Sequence, residues 1–306
     1  MSTAVEARGL SKTFGDVQAV KDVSFEVKRG EFFGFLGPNG AGKTTTIRML
    51  TGLITPDSGK ALIEGVNPQK DPIKAKMNMG IIPEFGNIYE DLTAEENLNL
   101  AGNFYGMSKR ARKKRIEEIL KTMKLRDRGR EPLHNFSKGM KQRVNIGCAI
   151  IHEPPVLFLD EPTSGLDVQS RRLVIRLIRE MQENGTTIFL TTHDINEANE
   201  LCERVGIIHE GGLAAVDRPE KLRNTFDKTQ SLEVSIEGKF DVEALGDDHV
   251  NKIERSGDKL RIFTDDIDAS VKRLVKLSDQ NGFEIISLRT CGPSLEEAFV
   301  RLTGDM

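Results

Sequence analysis

The chain has 306 residues, with 44 basic and 47 acidic side chains, a net charge of −3 and three cysteines. The length favours about two domains with a sizeable core, and the balanced charge argues against a global basic field for nucleic acid. There is no apolar run near the ~20 residues of a membrane span, no secretory signal pattern at the N-terminus, and no even cysteine set for a disulfide framework. We therefore expect a soluble cytoplasmic protein.

The N-terminal segment has the pattern of an antiparallel sheet. Residues Val5 to Phe14 and Val23 to Val27 alternate in the way that β-strands do. Gly15 and Asp16 lie between them and form a hairpin turn signal. The first strand is therefore expected to end at Phe14, just before the turn.

A glycine-rich stretch, GPNGAGKTTT, occupies residues 37 to 46 between an apolar strand, Phe32 to Leu36, and the start of a helix. It fits the phosphate-binding pattern G-x-x-x-x-G-K-S/T, which in this context is favoured over an ordinary glycine-rich turn. Lys43 is expected to reach the β- and γ-phosphates and the Thr44 hydroxyl to bind Mg²⁺. The loop residues expected to hold the nucleotide are Gly37, Pro38, Asn39, Gly40, Ala41, Gly42, Lys43, Thr44 and Thr45.

The middle of the chain changes from strand to helix. An apolar strand, Met79 to Ile82, is followed by a helical pattern from Asp91 to Leu125, where Thr93 and Glu96 form a capping box. The basic run Lys109 to Arg115 is interpreted as a solvated helix face and not as a targeting or nucleic-acid patch, because two glutamates follow it and no aromatic residues interleave.

Strands and helices then alternate. Ser137 to Ile151 and Val168 to Gln182 are predicted helices, while Val156 to Leu159 and Thr187 to Leu190 are buried strands. Gly206 to Val216 has the pattern of a hairpin. Such alternation implies crossover connections and a mostly parallel sheet.

Polar side chains follow two of these buried strands. Asp160 comes at the carboxyl end of a strand, where a Mg²⁺-binding carboxylate is expected, and Glu161 is placed to polarise an attacking water. His193 follows the next strand, where contact with a γ-phosphate is favoured over a structural role. Gln142 and Arg143, in the first turns of a helix, are interpreted as part of a solvated face.

The alternation of buried strands and helices ends near residues 228 to 230, and a new pattern of strands begins there. Strands are predicted at Leu232 to Ile236, Leu260 to Phe263 and Phe283 to Leu288, with helical stripes beside them. The chain is therefore predicted to comprise two domains, residues 1–229 and a small α+β domain at residues 230–306.

Taken together, these residues resemble the ATP-binding cassette family over about residues 3 to 220, with the family's motifs in the family's order. The resemblance implies an α/β fold: a P-loop NTPase core with a mostly parallel sheet, an antiparallel β subdomain and a helical signature subdomain at about residues 91–151. Gly37 to Thr44 matches Walker A, and Val156 to Asp160 matches Walker B. Glu161 falls at the catalytic glutamate and His193 at the switch histidine.

Further positions are assigned by the same resemblance. Phe14 falls at the aromatic position that stacks on adenine, although from its place alone a core aromatic is equally expected. Glu84 falls at the Q-loop, which touches Mg²⁺ and water. The stretch Phe136 to Met140 falls at the family signature, and Asp167 closes the D-loop. The nucleotide ligands implied outside Walker A are Phe14, Glu84, Ser137, Lys138, Gly139 and Asp167.

Two motifs, the Q-loop and the signature, depart from the family pattern. Glu84 stands where glutamine is usual, and Lys138 and Met140 replace a glycine and a glutamine of the signature. Ser137 and Gly139 remain, so phosphate contact at that helix N-terminus is retained. These departures, with the ending Ser294 to Phe299, resemble the branch that serves multidrug, polyketide-antibiotic and polysaccharide exporters.

The resemblance implies the ATPase subunit of a membrane exporter, with ATP and Mg²⁺ as its cofactors. Two copies are expected to face each other, with each ATP between Walker A of one and Ser137 of the other. A separate membrane permease is expected to insert a helix between the helical lobe and the core, which would hold the protein at the cytoplasmic face of the membrane. The C-terminal domain is expected either to stabilise the dimer or to regulate it.

Two alternative functions have less support in the sequence. A soluble cassette ATPase acting on nucleic acid or ribosomes usually has long coiled coils or paired cassettes, and this chain has one cassette, so no nucleic acid is expected. A nucleotide-binding regulator without turnover does not need the carboxylate and imidazole that Glu161 and His193 supply.

Overall fold

The computed structural model of the chain describes residues 2–84, 86–224, 230–238, 249–257, 259–292 and 294–304. The chain divides into two compact units, Met1–Arg218 and Pro219–Met306. The domain boundary expected from the sequence, between residues 229 and 230, lies beside residues 225–229, which are outside the described residues. The second unit begins earlier because its first helix, α8 (Pro219–Asn224), packs with its last, α10 (Leu295–Thr303).

The strands of the first unit are β1 (Thr3–Phe14), β2 (Val17–Lys28), β3 (Phe32–Leu36), β4 (Ser58–Ile63), β5 (Met79–Ile82), β6 (Val156–Asp160), β7 (Thr187–Thr192), β8 (Arg204–His209) and β9 (Gly212–Asp217). Its helices are α1 (Lys43–Leu50), α2 (Pro72–Met77), α3 (Ala94–Phe104), α4 (Lys109–Thr122), α5 (Lys138–Ala149), α6 (Val168–Glu183) and α7 (Ile195–Leu201). None of the helices among the described residues is both long and apolar enough to cross a membrane.

Two sheets form the core of the first unit. The six-stranded sheet has the order β5-β6-β7-β3-β8-β9, in which the first five strands are parallel and β9 is antiparallel. The three-stranded sheet β2-β1-β4 is antiparallel. The predicted mostly parallel sheet and antiparallel β subdomain are therefore confirmed.

Phenylalanine side chains join the two sheets. Phe33, Phe158 and Phe189 of the parallel sheet are fully buried. Phe25 of β2 stacks on Phe33 with ring centroids 5.5 Å apart and on Phe189 at 5.7 Å. Each such aromatic pair contributes about 0.5–1.5 kcal/mol beyond its buried area. The packing fixes the parallel strands as one rigid platform.

The parallel register brings three strand ends to one edge. Leu36 of β3 lies beside Thr192 of β7, and Asp160 of β6 lies beside Thr191. Ligands of α/β sheets bind at the carboxyl ends of the strands. The loops that follow β3, β6 and β7 therefore meet where the sequence predicts a nucleotide.

Helices α3, α4 and α5 form the helical lobe. The capping box of Thr93 and Glu96 is confirmed at the start of α3. The predicted helical stretch 91–125 is divided into two helices because Ser108 caps a new one, its hydroxyl accepting from Ala111 N at 3.3 Å. Ser137 caps α5 in the same way, accepting from Met140 N at 3.3 Å.

The second unit is an α+β fold with its own core. Between α8 and α10 it contains β10 (Gln230–Glu237), β11 (Val250–Ser256), β12 (Lys259–Thr264), α9 (Ile267–Asn281) and β13 (Glu284–Cys291). The strands form an antiparallel sheet of order β11-β12-β10-β13. Buried Leu232, Val234, Leu260, Ile262 and Leu274 form the core.

Candidate functional site

The loop after β3 is held tightly against its neighbours. Gly37 N donates to Thr192 O at 3.3 Å, and a Cβ added at Gly37 would collide with the Ile208 backbone. Gly42 has a φ of +105°, and a Cβ there would lie 2.5 Å from Ala19 O. Only glycine satisfies both the close approach and the left-handed backbone. The loop conformation is therefore a direct consequence of the glycine pattern.

Lys43, the first residue of α1, points back across the loop. Its Nζ donates to Gly37 O at 2.8 Å and to Pro38 O at 3.1 Å, and lies 3.3 Å from Glu161 Oε1. The side chain is only 5% exposed. Three oxygen partners compensate the burial of the ammonium group. They also hold the charge at the floor of the loop, where phosphate oxygens would meet it.

A cavity of about 280 Å³ opens above the loop. Its lining brings together residues from β2, the loop, α1 and the segments after β5 and β6: Ala19, Asn39, Gly40, Gly42, Lys43, Thr44, Thr45, Glu84 and Glu161. A Cβ at Gly40 would meet nothing within 4 Å, so the loop leaves open space over its backbone. A glycine cradle with a buried cation beneath it suits a chain of phosphates.

The two carboxylates after β6 have different surroundings. Asp160 is buried, and its Oδ1 accepts from the Thr191 hydroxyl at 2.5 Å. Glu161 has a φ of +48°, which turns the chain away from the strand. Its Oε2 lies 3.0 Å from His193 Nδ1, while Oε1 faces Lys43. The structure therefore brings Lys43, Glu161 and His193, the three predicted catalytic residues, into one chain of contacts.

The D-loop aspartate caps a helix. Asp167 accepts from Ser170 N at 2.8 Å and from Ser170 Oγ at 2.7 Å at the start of α6. These two bonds, the backbone one foremost, hold the pKa of Asp167 below its usual range. The carboxylate therefore stays ionised, and it already has a structural role within its own chain.

Sequence reasoning missed a polar network beside His193. Asp194 pairs with Arg171 at 2.5 Å, and the Thr163 hydroxyl donates to Glu197 at 2.6 Å. Burial works to raise the pKa of Asp194, but bonds from Arg171 and from two backbone N–H groups lower it overall. These residues lie after recognised motifs and have no motif of their own, so only their place beside His193 could have marked them.

Eight predicted nucleotide ligands do not line the cavity among the described residues: Phe14, Gly37, Pro38, Ala41, Ser137, Lys138, Gly139 and Asp167. The Phe14 ring is 48% exposed with Lys12 Nζ 5.6 Å from its centroid, so it does not pack in the core. Ser137, Lys138 and Gly139 lie at the start of α5, in the helical lobe. A single chain therefore assembles Walker A, Walker B, Glu84 and His193, but not the signature.

Gln142 and Arg143 contradict the expectation of a solvated helix face. Gln142 Nε2 donates to Pro162 O at 2.9 Å, and Arg143 Nη1 donates to Met123 O at 2.6 Å. Partial burial lowers the pKa of Arg143. Both side chains instead fasten the helix α5 to neighbouring segments, because their length lets a polar group reach a carbonyl across the packing interface.

The family model described as ABC transporter matches residues 20–164. Among curated proteins, the chain is 37% identical to the linearmycin resistance ATP-binding protein of Bacillus subtilis, covering 98% of each chain. It is 34% identical to the Nod factor export ATP-binding protein I of Rhizobium etli, covering 99% of this chain and 94% of that one.

Solved structures are similar to the larger part of the chain. An ATP-binding subunit of an ABC transporter matches with a TM-score of 0.68 at 36% identity, covering 73% of this chain and 93% of that one. An ATP-binding cassette in a dimeric, post-hydrolysis state with ADP and Pi bound matches with a TM-score of 0.64 at 28% identity, covering 70% of this chain and 98% of that one.

Proposed function

This chain belongs to the ABC transporter family of ATP-binding proteins, and on that premise we propose how its residues share the work of ATP hydrolysis and permease coupling. It is the ATP-hydrolysing subunit of an export system; one of its relatives is named as a resistance ATP-binding protein and another as an export ATP-binding protein. The alternative of a nucleic-acid or ribosome ATPase does not fit those relatives. The contact chain of Lys43, Glu161 and His193 beside the phosphate loop is the observation that supports catalysis most directly.

Residues of the phosphate loop and of the strand ends beside it have different proposed roles at the phosphates. Lys43 holds the β- and γ-phosphate oxygens in place of its present carbonyl partners, and the loop N–H groups hold the remaining oxygens. Thr44 and Asp160 would hold Mg²⁺, which would offset phosphate charge, and few protein ligands suffice for this ion. Glu161 accepts a proton from the attacking water, and His193 keeps the carboxylate aimed.

Glu84 lines the same cavity as Glu161 and is proposed to face the metal. Replacing Glu84 with Gln removes one negative charge near Mg²⁺, so the half-saturating Mg²⁺ concentration for hydrolysis should rise by about tenfold. This concentration is measured by titrating Mg²⁺ at a fixed ATP concentration and following ATP hydrolysis. Glu90→Gln, which alters an exposed carboxylate paired with Lys141, should leave the titration unchanged. Identical curves for Glu84→Gln and wild type would mean that Glu84 does not approach the metal.

The signature is proposed to serve a second copy of the chain. Ser137 and Lys138 are exposed at the N-terminus of α5 and lie outside the cavity lining. A helix N-terminus with a lysine beside it attracts phosphate. The dimeric state of the similar cassette supports a homodimer in which each α5 meets the ATP held by the partner.

The permease is proposed to dock in a groove of about 560 Å³ between the helical lobe and the core. Exposed apolar side chains line it: Leu53, Ile73, Met77, Tyr89 and Phe104. An amphipathic helix laid into such a groove buries its apolar face. Docking would hold this subunit at the cytoplasmic face of the membrane, while the permease selects the exported compound.

Phe104, 75% exposed at the groove, gives a test of docking. Phe104→Glu should weaken co-purification with the co-expressed permease by at least about tenfold, because a charge is desolvated in an apolar contact. ATP hydrolysis by the isolated subunit should not change. Val275→Glu, which alters an exposed apolar residue in the second unit, is the matched control. Full permease capture by Phe104→Glu would exclude this groove as the docking site.

A further inference from the structure

We propose that Gln142 is a positioning residue for Glu161. Its Nε2 donates to the carbonyl of Pro162, the residue directly after Glu161, at 2.9 Å. The donor lies on α5, the helix that Ser137 begins, so one bond connects the helix that follows the predicted signature to the residue after the predicted catalytic glutamate. The inference rests on the catalytic role proposed for Glu161.

The backbone at Glu161 needs external support. Its φ of +48° lies in the left-handed region, which a non-glycine residue keeps only when its surroundings enforce it. Glu161 N donates to Thr191 O at 3.2 Å, and Ser164 N donates to Glu161 O at 3.1 Å. Pro162 has no N–H, so the segment lacks one of the donors that would otherwise fix it. The Gln142 bond supplies a further anchor at this point.

The anchor is itself held firmly. Near the start of α5, a Cβ added at Gly139 would collide with the Ser170 side chain, so α5 and α6 touch there. A Cβ added at Gly165 would likewise collide with Lys138 Nζ. The first turns of α5 and the segment from Pro162 to Ser170 are therefore packed as one block. The hydrogen bond from Gln142 can therefore fix the position of Pro162, because neither the donor nor the acceptor can move without its packed neighbours.

Loss of this bond should affect turnover and spare ATP binding. Glu161 Oε1 faces Lys43 and Oε2 faces His193, so a small rotation at Pro162 moves both oxygens from their partners. Gln142 is not among the described residues that line the cavity above the phosphate loop. We expect Gln142→Glu to lower kcat by about tenfold or more and to leave the Kd for ATP within about twofold.

Three variants isolate the donor. Gln142→Glu keeps the shape and removes the N–H group, while Gln142→Lys keeps a donor of similar reach and should recover most of kcat. Gln69→Glu is the matched control, since Gln69 Nε2 also donates to a backbone carbonyl, Met49 O, at 2.9 Å. It should lower thermal stability as Gln142→Glu does without lowering kcat. Equal kcat losses in Gln142→Glu and Gln142→Lys would overturn the proposal.

A double variant tests whether the effect runs through Glu161. In single-turnover phosphate release, Gln142→Glu should slow the wild type about tenfold but change the residual rate of Glu161→Gln by less than about twofold. The same loss in both backgrounds would show a merely structural role and overturn the inference. If Glu161→Gln alone keeps wild-type turnover, the proposed function of Glu161 fails, and the positioning role falls with it.

Discussion

Glu161→Gln should bind ATP with an affinity near that of the wild type and hydrolyse it about 10²–10⁴-fold more slowly. The amide has the shape of the carboxylate and still fits between Lys43 and His193. It is a poor proton acceptor, so the attacking water loses its base. Single-turnover release of labelled phosphate, with ATP binding measured separately, distinguishes slow chemistry from weak binding.

The same variant should accumulate as an ATP-bound dimer on a sizing column, because the nucleotide that joins the two chains is not consumed. Glu200→Gln is the matched control: Glu200 is exposed and pairs with Arg179 at 3.0 Å away from the loop. It should turn over at the wild-type rate and elute as the wild type does. Wild-type turnover by Glu161→Gln would remove Glu161 from the chemistry.

The parallel core could be predicted because its strands are buried on both faces. Such strands appear in a sequence as short continuous apolar runs, and the polar residue that ends each run marks the sheet edge. Asp160, Glu161 and His193 were found in this way. Helix starts at Thr93 and Ser137 were equally visible, because capping depends on local sequence alone.

Elements with weak local signals were missed. Strand β11, Val250–Ser256, has only two apolar residues, and its pairing with β12 depends on a partner that sequence order does not reveal. Helix α2 is six residues long, although Asp71 followed by Pro72 was an available start signal. Short elements are stabilised by tertiary packing more than by propensity.

Contacts between motifs could not be predicted from the sequence either. The bond from Thr191 to Asp160 joins neighbouring strands, and the bond from Gln142 to Pro162 crosses from the helical lobe to the core. A polar residue on a helix looks the same in sequence whether it meets water or a distant carbonyl. The sequence therefore predicts residues that the structure brings to one edge of the sheet, but not the hydrogen bonds that hold them there.

The described residues that line the cavity do not include the signature, and the second large expected effect follows from this. Lys43→Ala and Ser137→Ala should each abolish nucleotide occlusion in a homodimer, because each site would need Lys43 from one chain and Ser137 from the other. A mixture of the two variants forms hybrids. One site of a hybrid joins the intact Lys43 of one chain to the intact Ser137 of the other, and the second site carries both lesions.

With every variant made in the Glu161→Gln background, so that bound ATP is not consumed, the hybrid should therefore trap about one nucleotide per dimer, by the two-fold symmetry of the interface. Ser137 also caps α5, so its loss weakens that helix by about 1 kcal/mol regardless of any phosphate contact. Ser108→Ala controls for this, since Ser108 caps α4 through a bond of the same 3.3 Å length, and its homodimer should occlude two nucleotides. If each site were built within one chain, every site of the Lys43→Ala and Ser137→Ala hybrid would contain a lesion. Trapped nucleotide in hybrids confirmed by mass is then the result that only a shared site produces.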